Sequence, residues 1–322
     1  MSLPSVLVLA GGPDAERAIS LESGAAVARA LREAGHAVEF CEIDGLDGSA
    51  LDAMPGDVVF PVLHGLWGEG GPLQSVLEAA RERTGRGYVG CGPSASRLAM
   101  DKLATKIAAG RAGVRTPLAG VVDPRDVSCC VPLPVVVKPV HEGSSVGLMI
   151  CRDLEAWATA RELVAADSQT ARVYMAEMMI SGREVTVSLV EDGDGGFLDL
   201  PLVEIIASGG VYDYDAKYTR GDTRYVVEPG LPDGLADEIR EAAIRLALVI
   251  GARDLSRVDF LIDGEGVAWL LELNTMPGFT ASSLLPKAAA ARGIGLPALV
   301  SRLVSLAAAR SSDGAACEKM SR

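Results

Sequence analysis

Two short apolar runs near the C-terminal end of the chain each contain one carboxylate, Asp259 in the first and Glu272 in the second. The polar, glycine-containing turn between them predicts an antiparallel hairpin, which brings the two acids side by side. Asn274 lies two residues beyond Glu272, on the same face of its strand. Two carboxylates and a carboxamide offer only oxygen ligands, the donor set that Mg²⁺ prefers. Arg257, on the face of Asp259, is placed to neutralise negative charge beside the metal.

A surface hairpin is the alternative interpretation of the same residues. In that case Asp259 and Glu272 face solvent and pair with Arg257, as polar residues on the exposed face of an antiparallel sheet usually do. For any single acid in a strand, this is the more common arrangement. The choice therefore depends on whether the chain carries other residues suited to phosphate.

Lys138 is one such residue, because it ends an apolar strand and is followed by the Gly/Ser-rich segment 139–147. The backbone N–H groups of such a loop can bind phosphate oxygens, with the lysine as a point charge at its base. The segment is not a P-loop, since the GK[ST] ending and the following helix are missing, and an ordinary hairpin loop is the alternative. Together with Lys102 and the hairpin acids, it predicts a site for a magnesium nucleoside triphosphate.

Two further segments favour a ligand site. His64 opens the glycine-rich loop 64–71 at the end of a predicted strand, on the same edge as Glu16, which favours ligand contact over a purely structural role. The irregular stretch 207–228 contains the aromatic-rich segment 212–218, and long ordered loops of this kind are often lids over active sites.

The composition narrows the class of protein. The chain has 322 residues, a formal net charge of −13 and a pI near 4.8, which argues against a nucleic-acid or anionic-membrane partner. Its six cysteines form no CxxC pair and have no His at zinc-ligand spacing, which favours free thiols in a reducing compartment. The N-terminal segment lacks the basic region of a signal peptide. These features predict a cytoplasmic protein.

The order of predicted elements indicates an α/β protein of several domains. Strand–helix–strand alternation with glycines at the strand ends predicts a parallel α/β domain over 1–94. A central domain over 95–182 and a C-terminal domain over 183–310, which contains the metal site and the lid loop, follow it. The polar tail 311–322 is expected to be disordered.

Seven separated motifs resemble those of one known family. They are AERAISLESGAA at 15–26, HGLWGEGG at 64–71, AMDK at 99–102, KPVHEGSSVG at 138–147, GREVTV at 182–187, YDYDAKY at 212–218, and RVDF at 257–260 with ELNTMPGFTASSL at 272–284. In this order the motifs resemble the ATP-grasp superfamily and, within it, the D-alanine–D-alanine ligase family. The resemblance extends from Gly11 to about Gly293. It implies the ATP-grasp fold, with an N-terminal parallel α/β (preATP-grasp) domain, a small central α+β domain and a C-terminal α+β domain.

The resemblance also implies a role for individual residues. ATP is bound between the central and C-terminal domains by Lys102, Lys138, Glu142, Ser145, Glu177, Met178, Met179, Ile180, Glu184 and Lys217. Two Mg²⁺ ions, with Mn²⁺ as an alternative, are ligated by Asp259, Glu272 and Asn274. The implied catalytic residues are Glu16, Ser144, Lys217, Tyr218, Arg257, Gly278 and Ser283. The implied contacts of the two D-alanines are Glu16, His64, Arg257, Gly278, Ser283 and Leu284.

The implied reaction is ATP-dependent ligation of two D-alanines through a D-alanyl phosphate, for peptidoglycan precursor synthesis, by a homodimer. Tyr218 stands where ligases that make D-alanyl-D-lactate commonly have His, which favours an amine nucleophile. The chain departs from the family pattern at Gly70, where an acid is usual, at Val211, where an aromatic is usual, and at 228–230. A D-alanine–D-lactate ligase, another D-amino-acid ligase and a non-catalytic nucleotide-binding protein are the alternatives.

Overall fold

The computed structural model of the protein describes residues 3–143, 146–167, 172–207 and 223–320. Its strands are β1 (Val6–Gly11), β2 (Val38–Ile43), β3 (Val58–Pro61), β4 (Gly87–Tyr88), β5 (Ala119–Val121), β6 (Val135–Pro139), β7 (Met149–Cys151), β8 (Tyr174–Met178), β9 (Gly182–Val190), β10 (Val203–Ile206), β11 (Arg224–Val227), β12 (Leu255–Asp263) and β13 (Ala268–Asn274). Its helices are α1 (Arg17–Glu33), α2 (Gly48–Ala53), α3 (Gly65–Glu69), α4 (Pro72–Thr84), α5 (Pro93–Met100), α6 (Lys102–Arg111), α7 (Leu154–Asp167), α8 (Leu235–Ile250), α9 (Leu284–Ala291) and α10 (Leu296–Met320).

The N-terminal region forms a parallel sheet with strand order β2-β1-β3-β4. All six residues of β1 are buried, as expected for a central strand covered on both faces. The carboxyl ends of β1 and β3 lead into α1 and α3, so Glu16 and His64 lie at the same edge of the sheet. This confirms the predicted parallel α/β arrangement of the region.

Two antiparallel sheets make up the rest of the described chain. The smaller has the order β5-β8-β6-β7 and packs against α7 through buried Trp157 and Val164. The larger has the order β11-β10-β9-β12-β13, with the two longest strands, β9 and β12, at its centre. Apolar side chains from these strands pack against α8, whose buried residues recur at helical spacing.

Helices α5 and α6 pack against the larger antiparallel sheet, because their buried small residues join its core together with α8. The domain boundary at residue 95 stays a prediction. Ala95 and Ala99 in α5 and Ala108 and Ala109 in α6 allow the helices to approach that sheet closely. From this position Lys106 reaches Glu177 on the smaller sheet, and Lys102 lines the cavity between the two sheets.

Helices α9 and α10 join the N-terminal sheet to the larger antiparallel sheet. Their buried Leu and Val side chains share one core with β1, α1, β10 and the segment after β13. Helix α10 is assigned as far as Met320, and the disorder of the tail 311–322 stays a prediction.

Two predicted loops contain regular structure. The glycine-rich segment 64–71 includes the short helix α3, whose N-terminal Trp67 and Gly68 amides donate to Asp14 Oδ2 at 2.8 and 3.2 Å. Of the predicted lid loop 207–228, residues 224–227 form β11, paired with β10, and residues 208–222 lie outside the described part of the chain. Within the described residues no single helix is long and apolar enough to span a membrane, although α9 and α10 up to Ser311, bent by 105°, pass that test as a pair.

Candidate functional site

The hairpin of β12 and β13 places its polar residues as the sequence predicts. Asp259 is the cross-strand partner of Glu272, and Arg257 is the partner of Asn274. The register shifts directly after Asp259, so the strand is irregular beside the acid. Such bulges are frequent next to active sites because they redirect side chains.

Asp259 is held by two neighbours inside the sheet. Arg257 binds it with two hydrogen bonds, Nε to Oδ1 at 2.9 Å and Nη2 to Oδ2 at 2.8 Å. The hydroxyl of Thr186, on β9, donates to Oδ1 at 2.5 Å. Only 5% of Asp259 is exposed, so the surface-hairpin interpretation is wrong for this acid, although its pairing with Arg257 is present. Burial of a charged carboxylate costs desolvation free energy, so a buried acid held by such hydrogen bonds is a candidate for a functional role.

Two cavities meet at this hairpin. A substrate-side cavity of about 240 Å³ opens toward the N-terminal sheet, and a nucleotide-side cavity of about 340 Å³ lies between the two antiparallel sheets. Lys102, Glu142 and Glu272 line both. The Lys102 ammonium donates to the carbonyl of Glu142 and lies 3.8 Å from Glu272 Oε2. A cation and an anion therefore stand together at the junction of the two spaces.

The nucleotide-side cavity collects most of the residues predicted to contact ATP. Those that line it are Lys102, Lys138, Glu142, Glu177, Met178, Met179, Ile180 and Glu184, together with Asp259 and Glu272. Val136, Leu148, Ile150, Leu261 and Leu271 supply apolar walls. An apolar slot whose lining includes two lysines suits a flat base joined to phosphates.

Glu177 and Lys138 pair within this cavity. The Lys138 ammonium hydrogen-bonds to Glu177 Oε1, and the Lys106 ammonium lies 2.9 Å from Oε2. Burial would raise the pKa of Glu177, but the two lysines outweigh it and hold that pKa below its ordinary value. The Glu177 side chain is thus an ionised, buried acid rather than a free acceptor.

The substrate-side cavity contains the other predicted set. Glu16, His64, Arg257, Asn274, Gly278, Ser283 and Leu284 all line it. They come from the N-terminal ends of α1, α3 and α9 and from the hairpin, which are distant in sequence. Glu16, Glu22, Glu142 and Glu272 outnumber the cations Lys102 and Arg257 in the cavity lining, which favours a ligand with a cationic group.

His64 and Glu69 lie together at the base of this cavity. His64 Nδ1 is 3.8 Å from Glu69 Oε1, and Glu69 accepts from the amides of Gly65 at 3.3 Å and Met276 at 3.2 Å. Burial, reinforced by the charge of Glu16, raises the pKa of Glu69 to about 8. Burial also lowers the pKa of His64 to about 4. Both groups are therefore neutral at neutral pH.

The segment after β13 is folded tightly around Gly278. A β-carbon at this position would lie 2.8 Å from Ser283 Oγ, so any side chain here would have to displace the Ser283 hydroxyl. The Ser283 hydroxyl accepts from the Thr280 amide at 3.0 Å, and the Asn274 carboxamide oxygen accepts from the Met276 amide at 2.9 Å. These bonds hold the segment against the cavity and leave the backbone of residue 278 facing it.

Gly143 lies close to the start of α1. A β-carbon on Gly143 would be 3.6 Å from Glu16 Oε1, and Gly143 and Glu16 both line the substrate-side cavity. Glu142 is held by Arg172, with Nε 2.5 Å from Oε1. The predicted site residues Ser144, Ser145, Lys217 and Tyr218, and the departure at Val211, lie outside the described residues.

The hairpin residues fit the predicted magnesium site in their donor chemistry. Asp259 and Glu272 are in cross-strand register, and Asn274 follows on the same strand, so three oxygen donors lie at the junction of the cavities. The charges of these acids are balanced by Arg257 and Lys102 in the described arrangement. An oxygen-only donor set next to a phosphate-sized space suits a hard divalent cation.

Sequence reasoning missed Glu69, Thr186 and Lys106. Only the fold brings Glu69 and Thr186 to the site, because their partners are far away in the sequence. Lys106 was detectable, since it lies four residues after Lys102 and thus on the same face of α6. Gly70 is packed rather than open: a β-carbon there would lie 2.4 Å from the Leu66 carbonyl oxygen.

Comparison with known proteins identifies relatives along almost the whole chain. Residues 123–305 match the family model described as D-ala D-ala ligase C-terminus. The D-alanine–D-alanine ligase of Bordetella petrii is 39% identical over 313 residues, which are 96% of this chain and 94% of that protein. The D-alanine–D-alanine ligase of Syntrophotalea carbinolica is 39% identical over 313 residues, with 95% and 96% covered.

Solved structures show the same fold. The D-alanine–D-alanine ligase from Coxiella burnetii is similar with a TM-score of 0.82, covering 99% of this chain and 98% of that one at 24% identity. The VanG D-Ala:D-Ser ligase from Enterococcus faecalis is similar with a TM-score of 0.76, covering 95% and 99% at 24% identity. At this identity the likeness concerns the fold alone.

Proposed function

The chain belongs to the D-alanine–D-alanine ligase family, with the ATP-grasp fold, and we propose that it joins two D-alanines into D-alanyl-D-alanine at the expense of ATP. One observation carries this proposal: the nucleotide-side and substrate-side cavities meet at Lys102 and Glu272. A phosphoryl group on one side of this junction can reach a carboxylate on the other. The product is a precursor for peptidoglycan synthesis.

The first step phosphorylates the carboxylate of the first D-alanine. A carboxylate is a poor electrophile, so it must first gain a leaving group. Its oxygen attacks the γ-phosphorus of ATP while ADP leaves, and the product is D-alanyl phosphate. Catalysis of such a transfer is largely positioning and charge stabilisation. Lys102 and Lys138 supply cations at the junction and in the nucleotide-side cavity, and Arg257 faces the substrate side.

The second step forms the peptide bond. The amine of the second D-alanine attacks the acyl carbon, and the tetrahedral oxyanion collapses with loss of phosphate. Arg257 and the amide of Gly278 line the cavity close to the hairpin and are the donors that we propose for this oxyanion. Glu16 binds the ammonium group of the first D-alanine, beside His64. Ser283 and Leu284 contact the second D-alanine.

Magnesium completes the site in this proposal. Asp259, Glu272 and Asn274 would hold it, and when bound it neutralises phosphate charge and polarises the transferring group. Two ions, with Mn²⁺ able to replace Mg²⁺, are part of the proposal, and titration of each metal against activity tests them.

We also propose a homodimer in the cytoplasm. Sedimentation of the purified protein tests the oligomeric state.

The experiment for this function compares acceptors. ADP release is measured with Mg-ATP and D-alanine, L-alanine, D-serine, or D-alanine plus D-lactate, and products are identified by mass. D-alanyl-D-alanine as the main product is the expected result. ADP release with a different product would move the assignment to another ligase of this family. No turnover with any D-amino acid would contradict ligation.

A further inference from the structure

Two lysines share the buried carboxylate of Glu177. Lys138 reaches it from β6 and Lys106 from α6, on opposite oxygens. The Glu177 side chain is 4% exposed, and those of Lys106 and Lys138 are 10% and 12% exposed. Glu177 and Lys138 line the nucleotide-side cavity, whereas Lys106 contacts the carboxylate but is not part of the cavity lining.

Lys106 is fixed in place by its surroundings. Its ammonium donates to Thr116 Oγ1 at 2.7 Å and to the Pro117 carbonyl at 2.9 Å, and it lies 2.9 Å from Glu177 Oε2. The ammonium therefore donates two hydrogen bonds and, through the third contact, balances the charge of Glu177. Thr116 is itself tied to β13, because its hydroxyl donates to the Leu270 carbonyl at 3.3 Å.

The charges explain why two lysines are needed. A buried carboxylate that loses its cation is strongly destabilised. If Lys138 alone neutralised Glu177, turning it toward a phosphate would leave that acid unpaired. With Lys106 on the other oxygen, Glu177 keeps a cation while Lys138 moves. Burial lowers the pKa of Lys106, and Glu177 opposes this effect.

We propose that Lys106 is a positioning residue for the nucleotide: it holds Glu177 so that Lys138 can leave this acid and bind the phosphates of ATP. The inference rests on the proposed function, since it takes the nucleotide-side cavity as the ATP site. Lys106 itself does not touch the nucleotide in this proposal. Its effect is therefore confined to ATP binding and does not extend to the amino-acid side.

The test measures binding of the β,γ-imido analogue of ATP with Mg²⁺, and the KM values for ATP and D-alanine. In Lys106→Met, the Kd of the analogue and the KM for ATP should rise by about tenfold or more. The KM for D-alanine should change by less than about twofold. Lys106→Arg keeps the cation and should restore most of the affinity.

Arg81→Met is the matched control. Glu78, like Glu177, has two cationic neighbours, Arg81 at 2.6 Å and Arg253 at 3.8 Å, but it lies on α4 and does not line either cavity. Removing Arg81 should leave the Kd of the analogue unchanged. A tenfold rise in this control as well would indicate a general effect of losing an ion pair and would overturn the proposal.

A double-mutant cycle separates positioning from structural support. In Glu177→Gln there is no charge to hold, so adding Lys106→Met should change the Kd of the analogue by less than about twofold. Equal effects of Lys106→Met in both backgrounds, or an unchanged Kd in the single variant, would overturn the proposal. If Lys106→Met does not fold, Thr116→Val is the substitute, because it removes one acceptor of Lys106. It should weaken binding of the analogue and leave the KM for D-alanine unchanged. A wild-type protein that does not bind the analogue would instead refute the proposed function.

Discussion

The carboxylic acid of Glu69 and the imidazole of His64 are both neutral at pH 7 because both are buried at the base of the substrate-side cavity. Their effects on stability have opposite signs. The raised pKa of Glu69, about 8, means that the folded state binds the extra proton, so stability falls as pH rises from 4.5 to 8. The lowered pKa of His64, about 4, means that stability rises with pH between 4 and 6.5.

Between pH 6.5 and 8 only the Glu69 effect remains, and this gives a prediction. The free energy of unfolding of Glu69→Gln, relative to wild type, should increase by about 2 kcal/mol over this range. Urea unfolding of both proteins at the two pH values measures it. A difference that does not depend on pH would show that Glu69 is ionised throughout.

Glu272 gives a second prediction, because it lines both cavities and is the cross-strand partner of Asp259. In Glu272→Gln the shape is kept and one oxygen ligand loses its charge, so turnover should fall by about a hundredfold or more while the protein stays folded. Glu265→Gln, in the exposed turn of the same hairpin, is the control and should keep wild-type turnover. Turnover of Glu272→Gln equal to that control would contradict the assigned metal site.

At the scale of elements, the short helix α3 depends on a cap from outside itself. Asp14 Oδ2 accepts from the Trp67 and Gly68 amides, which anchors the helix that follows His64 and ends at Glu69. In Asp14→Ala, stability should fall by about 1 kcal/mol, and the KM for D-alanine should rise.

Asp47→Ala is the matched control for this cap. Asp47 caps α2 by accepting from the Ala50 amide at 2.8 Å, and it does not line either cavity. Its loss should reduce stability by a similar amount and leave the KM for D-alanine unchanged. If both variants shift this KM equally, α3 has no special part in binding D-alanine.

Elements with a strong local pattern were predictable from the sequence. The hairpin, its turn and the facing pair Asp259 and Glu272 follow from alternation and turn chemistry alone. The amphipathic helix α8 and its glycine C-cap, Gly251, were predictable for the same reason. By contrast, α3 needs Asp14 from a distant loop, and β11 exists only because β10 pairs with it. Elements that depend on a remote partner leave no local signal.

The same distinction holds for the site. Asp259, Arg257 and the lysines carry recognisable charges in apolar runs, so their types and spacing were informative. The ion pair between Glu177 and Lys138 was not predictable, because only the pairing of β6 with β8 brings Lys138 to this acid. The second lysine, Lys106, reaches Glu177 only because α6 packs against the larger sheet.

At the scale of the whole molecule, α10 ties the N-terminal sheet to the larger antiparallel sheet through Asp254. This acid is fully buried and accepts from Nη1 and Nη2 of Arg310, at 2.5 and 2.6 Å, and from the Gly90 amide at 2.6 Å. The contacts join α10, the segment after β4 and the start of β12. They fix the relative position of the surfaces that form the substrate-side cavity.

Arg310→Met should therefore destabilise the protein by about 3 kcal/mol, since it leaves Asp254 buried without this cation. Arg302→Met, on the same helix, is the control, because Arg302 donates to the Asp192 carbonyl at 2.8 Å and not to a buried acid. Thermal unfolding compares the two. Equal midpoints would mean that Asp254 is neutralised by other groups.

The central claim is that a phosphoryl group crosses the junction at Lys102 and Glu272 to a carboxylate, and the fate of one oxygen atom tests it directly. D-alanine labelled with ¹⁸O in its carboxylate is incubated with the protein and Mg-ATP, and the released phosphate is analysed by mass. The account predicts that each phosphate carries one oxygen from D-alanine, because D-alanyl phosphate is broken at its acyl carbon. Unlabelled phosphate, formed together with the dipeptide, would contradict it.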